Sequence, residues 1–270
     1  MSNVFNMKIE FLHKSGIPDI SDISGISDIS GISGKGVKSR EAVIFFGGWA
    51  SGAELFRDCV FPEDKDVILC CDYRNLHFNE GILDFPYEML RPYGTVILYA
   101  WSMGVYVASA FKTGMQKYKE NTPDFHSAVT FSTAINGTET PVSDDYGIPE
   151  AIFKGTLEGM SQRTLTKFRR RMCGHNLEYF MEHVPSASAD ELKDELQSLF
   201  DMVMEHGVLR SRWDAAICSG GDLIFPFASQ KACWDSLGVD VTVVDDAHYC
   251  PSVFAECLAG KLMASTKSKH

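Results

Sequence analysis

After Arg40 the chain alternates short apolar runs, rich in β-branched and aromatic residues, with longer amphipathic stretches, and this alternation constrains the fold more than any other feature. The runs fall at residues 42–46, 67–71, 95–100, 128–132, 215–219 and 239–244, with a further strand candidate at 8–12. Most are apolar throughout rather than at every second position. A strand of that kind is buried on both faces, which requires helices on either side of a largely parallel sheet. The clearest helical pattern runs from 104 to 111. The predicted fold is therefore α/β, with a mostly parallel, doubly wound sheet in a single domain spanning 1–270.

Two intervals break the rhythm. Residues 19–34 read DISDISGISDISGISG, a three-residue beat too short for a solenoid unit and without bulky side chains to build a core. It reads as an expanded loop between the strands at 8–12 and 42–46, which predicts a hairpin at a sheet edge with a long connection. The second interval, 137–206, carries helix-like stretches and no good strand. Inserted before the strand at 215–219, it would lie over the carboxyl ends of the strands, where ligands of open α/β sheets bind. It is a predicted helical lid.

Charge and cysteine usage narrow the function. With 25 Lys and Arg against 36 Asp and Glu, the net charge is −11, which argues against a general nucleic-acid binder. No apolar run approaches the roughly 20 residues of a membrane span, and the N-terminus MSNVFNMKIE lacks the pattern of a signal peptide. A cytoplasmic protein is expected. Eight cysteines are too few for a disulfide scaffold, and neither C-x-x-C pairs nor the isolated Cys173 and His175 suggest a metal site, so reduced thiols and no metal are expected.

The chemistry centres on Ser102, in TVILYAWSMGVYVASAF, where a strand stops and a helix starts at once. A strained strand-to-helix turn of this kind exposes a nucleophilic hydroxyl, although Ala100 stands where G-x-S-x-G has its first glycine. Serine is a poor nucleophile until a histidine removes its proton, and a carboxylate must orient that histidine. Asp222 in CSGGDLIFP and His248 in VVDDAHYCPS each follow a predicted strand, in the chain order Ser, Asp, His of α/β-hydrolases. Asp245 and Asp246 are too near His248 in sequence to reach around its ring easily and read as turn residues. His13, His77, His126, His175, His183 and His206 lack a comparable post-strand setting. A developing oxyanion needs two backbone donors: Met103 follows the nucleophile, and Trp49 follows Gly47 and Gly48 after the strand at 42–46. Gly48, Trp49 and Trp101 are the expected substrate contacts.

On these motifs the sequence resembles the BioG-type pimeloyl-[acyl-carrier protein] methyl ester esterases of biotin synthesis. MKIEFLHKSG, FFGGWAS, LCCDYRNL, AWSMGVYVA, AINGTETPVSDDYGIPEAIF, KFRRRMC, GGDLIFP and DDAHYCP carry the resemblance, which covers nearly the whole chain apart from 19–34. It implies an α/β-hydrolase without cofactor that acts as a serine carboxylesterase, with Ser102, Asp222 and His248 as nucleophile, acid and base. The implied partner is an acyl carrier protein bearing methyl-pimeloyl phosphopantetheine. The same groups would serve a thioesterase on that carrier; a non-catalytic carrier-binding module is the reading from another class, against which the intact Ser, Asp and His argue. An acidic carrier would be repelled by a net charge of −11, so docking needs a local basic patch. At 100° per residue, Arg163, Lys167, Arg170 and Arg171 share one helix face while Leu165, Phe168 and Met172 share the other.

Overall fold

The computed structural model describes residues 7–16, 40–79 and 82–260; the Ile-Ser repeat at 19–34 lies outside them. The chain runs β1 (Lys8–His13), β2 (Arg40–Phe46), β3 (Lys65–Cys71), the small hairpin of β4 (Phe78–Asn79) and β5 (Ile82–Leu83), β6 (Tyr93–Trp101), α1 (Gly104–Asn121) and β7 (Ala128–Ile135). Four helices follow without a strand of the main sheet: α2 (Glu150–Glu158), α3 (Gln162–Cys173), α4 (Leu177–Glu182) and α5 (Ala189–His206). The chain then returns through β8 (Ala215–Ser219), α6 (Phe227–Ser236), β9 (Val241–Val244) and α7 (Pro251–Leu258). α1 extends well beyond the 104–111 pattern. β9 is shorter than 239–244 because Gly238, at φ +66, turns the chain just before it.

The main sheet has the order β1-β3-β2-β6-β7-β8-β9, parallel except for β1. This corrects the expected hairpin: β1 lies at the edge but pairs antiparallel with β3, while β2 sits between β3 and β6. Burial explains the difference. Residues 42–46 of β2 are wholly buried, with Ala42, Ile44 and Phe46 in one apolar cluster and Val43 and Phe45 in the other. Such a strand needs a neighbour on each side. β1, KIEFLH, is only partly buried and charged, as a tolerated edge strand is. β9 at the opposite edge departs from the doubly buried pattern too, with Val243 55% exposed.

From β2 the chain steps outward to β3 and then returns to the other side of β2 as β6. The carboxyl ends of β2 and β6 therefore flank a topological switch point, where a crevice opens. The eight cysteines are free thiols; burial pushes Cys71 up to about 12 and Cys70 well above its ordinary value, which keeps both protonated. Among the described residues no helix is long and apolar enough to cross a membrane.

Candidate active site

Ser102 occupies the junction of β6 and α1 with φ +57, a left-handed conformation that costs a non-glycine residue roughly 1–2 kcal/mol. The surroundings hold it there: its N–H donates to Ile135 O on β7 (2.9 Å), and its carbonyl accepts from Val105 N–H (3.1 Å) in the first turn of α1. Such a tight turn leaves no room for side chains nearby. A Cβ on Gly104 would stand 2.3 Å from the Gly47 carbonyl oxygen, and one on Gly48 would reach 3.0 Å from Ser102 Cβ. Ala100, by contrast, lies inside β6 with its methyl in the main apolar cluster, so the missing first glycine does not obstruct the turn.

The structure brings Ser102, His248 and Asp222 into one hydrogen-bonded chain. His248 Nδ1 is 2.7 Å from Asp222 Oδ2, and His248 Nε2 is 3.0 Å from Ser102 Oγ. A carboxylate only accepts, so Nδ1 carries the proton and Nε2 is left to accept from the serine hydroxyl. Asp222 is fully engaged: Oδ1 accepts from the N–H groups of Ile224 and Phe225 (both 2.8 Å), and Oδ2 also accepts from Gln230 Nε2 (3.0 Å). With the His248 side chain 2% and that of Asp222 0% exposed, water does not compete for these bonds. Asp246 serves another end, with Oδ1 accepting from Asn176 Nδ2 (2.8 Å) and Ala247 N–H (2.7 Å) to shape the turn before His248. Asp245 points to solvent.

Two residues of this framework escaped the sequence reading. Asn136, directly after β7 at φ +46, donates through Nδ2 to His248 O (2.8 Å) and Ser219 Oγ (2.9 Å), and accepts from Ser219 N–H through Oδ1 (2.7 Å). Its signal was present in the INGT motif after a strand, but the partners lie more than 80 positions away. Gln230, within α6, gave no signal, because only packing turns its amide toward Asp222.

Above Ser102 is a mostly apolar cavity, lined by Trp49, Trp101 and Met103 from the sheet side and by Phe153, Phe168 and Leu196 from α2, α3 and α5. Trp101 is 1% exposed and Trp49 6%. Gly48 contributes through its closeness to Ser102 and Trp101 rather than to the lining. Among the described residues, neither the Trp49 nor the Met103 N–H has an intramolecular acceptor, and Met103 precedes an 18-residue helix whose dipole favours negative charge at this end.

On α3, Arg163, Lys167, Arg170 and Arg171 are exposed while Leu165 and Met172 are buried and Phe168 packs edge-on to Trp49 at 5.0 Å. The four cations are not equivalent, since Arg171 also lines the cavity. Arg169, the remaining cation of the run, is half-buried over the Phe180 ring.

A parallel sheet with a serine on a left-handed strand-to-helix turn, backed by histidine and aspartate from later post-strand loops, defines an α/β-hydrolase. A thermophilic esterase of Thermogutta terrifontis shares this fold at 16% identity, covering 85% of this chain and 90% of that one with a TM-score of 0.52. More specifically, the family model for the pimeloyl-ACP methyl esterase BioG matches residues 34–259, and the chain belongs to that family. The crystal structure of BioG from Haemophilus influenzae is similar with a TM-score of 0.67 and 32% identity, over 83% of this chain and 96% of that one. A Bacteroides fragilis protein named malonyl-[acyl-carrier protein] O-methyltransferase is 37% identical over 222 residues. The match spans 82% of this chain but only 42% of that protein's length.

Proposed function

We propose that this chain is a serine carboxylesterase that hydrolyses the methyl ester of pimeloyl-[acyl-carrier protein], releasing methanol and the free ω-carboxylate. The observation that carries the reading is the Ser102–His248–Asp222 chain of hydrogen bonds at the floor of an apolar cavity; membership of the BioG family supports the choice of substrate. His248 Nε2 takes the hydroxyl proton as Ser102 Oγ attacks the ester carbonyl. The N–H groups of Trp49 and Met103 hold the oxyanion, and Asp222 stabilises the imidazolium. The proton passes from His248 to the departing methoxide, and methanol leaves an acyl-serine. Water then attacks that ester as His248 takes its proton, and collapse of the second oxyanion returns the proton to Ser102 and frees the acid.

Helices α2 to α5 act as the lid over this centre. Between α2 and α3 runs a groove of about 580 Å³, bordered by Lys167 and Arg170, which shares Ile152, Thr156, Phe168 and Arg171 with the cavity. A phosphopantetheine arm laid in it would bring the acyl chain to Ser102 while the exposed face of α3, with Arg163, Lys167 and Arg170, meets an acidic carrier. The methyltransferase name of the Bacteroides protein is not carried over, since the Ser-His-Asp arrangement is suited to acyl transfer to water.

Mass spectrometry of methyl-pimeloyl-carrier treated with the purified protein tests the reading. The expected product has one methyl replaced by hydrogen, with the carrier thioester intact and one methanol released. Loss of the whole acyl group would instead make the protein a thioesterase. An unaltered carrier would make it a binding module.

A further inference from the structure

The loop that presents Trp49 is held from outside the sheet. Resting on the esterase reading above, we propose that Glu195 of α5 is a positioning residue that fixes this loop, and with it the Trp49 N–H, for the oxyanion. Its carboxylate spans two post-strand loops: Oε2 accepts from Ala50 N–H after β2, and Oε1 from Tyr73 N–H after β3, each at 3.1 Å. Both loops turn through left-handed residues at this point, Ala50 at φ +64 and Asp72 at φ +56. Non-glycine residues keep such conformations only where the surroundings over-determine them, and strain of this kind gathers at functional sites.

The other contacts converge on the same loop. One turn earlier on α5, Leu192 O accepts from the Trp49 indole N–H at 2.7 Å. The Tyr73 hydroxyl in turn donates to Gly47 O at 2.7 Å and contacts Cys70 O at 3.0 Å. Residues 47, 49 and 50 are thus each tied down, while among the described residues the Trp49 N–H is left without an intramolecular acceptor.

Glu195 is a costly choice for a purely structural tie. It is 4% exposed, and among the described residues no Lys or Arg lies within ion-pair distance. The charged and titratable groups facing it are Asp72, Tyr73, Arg74 and Cys71 after and within β3, Glu191 on its own helix, and Lys8 and Glu54 around the adjoining cavity. Arg74 is already engaged with Asp72 (2.7 Å) and Glu191 (2.9 Å). Burial pushes the Glu195 carboxyl up to about 7, against the opposing pull of the Tyr73 and Ala50 N–H groups. Ionised, it offers each N–H a full acceptor; protonated, one oxygen becomes a donor and that hold weakens.

The test uses hydrolysis of a small soluble ester, p-nitrophenyl acetate, by the wild-type chain, Glu195→Gln and Tyr73→Phe. Gln retains the shape but one acceptor oxygen only. At pH 8.5, Glu195→Gln should lower kcat about ten-fold with KM within about two-fold, a fraction of the 10²–10³ that a deleted oxyanion donor costs. Tyr73→Phe should act in the same sense, and the double variant should fall short of the product of the two losses because both act on one loop. The wild-type to Glu195→Gln ratio should shrink toward one below pH 6, where the wild-type carboxyl is protonated; taking the ratio cancels any pH effect common to the two proteins. A ratio that stays constant with pH, or kcat within two-fold of wild type for both variants, would overturn the role. Should Glu195→Gln fail to fold, Tyr73→Phe with normal kcat also overturns it. If the wild-type chain hydrolyses neither this ester nor methyl-pimeloyl-carrier, the esterase reading itself falls and this role with it.

Discussion

The indole N–H of Trp101 donates to the carbonyl oxygen of His248 at 3.0 Å, so the residue before the candidate nucleophile holds the backbone of the candidate base. Asn136 Nδ2 reaches the same carbonyl at 2.8 Å. The loop bearing His248 is thereby tied to the ends of β6 and β7, and the 3.0 Å separation of Nε2 from Ser102 Oγ is set by two strands rather than by the loop's own rigidity.

Trp101→Phe keeps an aromatic ring in the site and removes one of these donors. We expect a loss of about 1 kcal/mol in unfolding free energy, the usual net worth of such a bond, and a several-fold fall in kcat with KM little altered. Denaturant melts and ester kinetics on the same preparation check both. An unchanged kcat would show that Asn136 alone suffices to place His248.

Ser102→Ala and His248→Ala should each lower ester hydrolysis by about 10⁶, the scale of the corresponding losses in a worked serine protease. Each should leave circular dichroism and the melting transition close to wild type. Survival of more than a tenth of the wild-type rate in purified Ser102→Ala would remove the serine from the mechanism.

Asp222→Asn should cost on the order of 10⁴ in kcat, by analogy with the tautomer fault that this change causes in a protease triad. Asp246→Asn should cost far less, because Asp246 Oδ1 meets Asn176 and Ala247 rather than the imidazole. Steady-state rates of the two variants decide between them. A larger loss in Asp246→Asn would mean that the acid has been assigned to the wrong carboxylate.

Reversing Arg163, Lys167 and Arg170 to Glu should raise KM for the carrier-linked ester in a salt-sensitive way and leave a small ester nearly untouched. Arg171→Glu, made separately, should impair both substrates, since Arg171 also lines the cavity over Ser102. Kinetics at two ionic strengths on both substrates give the answer. Unchanged KM for the carrier substrate in the triple variant would place the docking surface elsewhere.

What could be read in advance had a local signature. Doubly apolar runs of a few residues announced a buried parallel sheet, since β2 and β3 keep almost nothing exposed on either face. The abrupt change from β6 to α1 marked Ser102, and post-strand positions in the right order marked Asp222 and His248. Amphipathic spacing separated the exposed cations of α3 from buried Leu165 and Met172. Apart from the chain order of Ser102, Asp222 and His248, each of these signals lies within about one turn of helix or one strand of the residue concerned, which is why one dimension was enough.

The remainder depends on which segments meet in space. β1 pairs with β3 and not with β2, the next strand in the sequence, a choice set by the need of β2 for a neighbour on each side, which β3 and β6 supply. Gln230 finds Asp222, Asn136 finds His248, and Glu195 spans Ala50 and Tyr73 across separations of 145 and 122 positions. An isolated glutamate on an amphipathic helix looks like any solvated residue in sequence. Only the packing of α5 against two strand ends buries its charge and leaves backbone N–H groups as its hydrogen-bond partners, because desolvation and hydrogen-bond geometry are properties of the assembled neighbourhood and not of the residue.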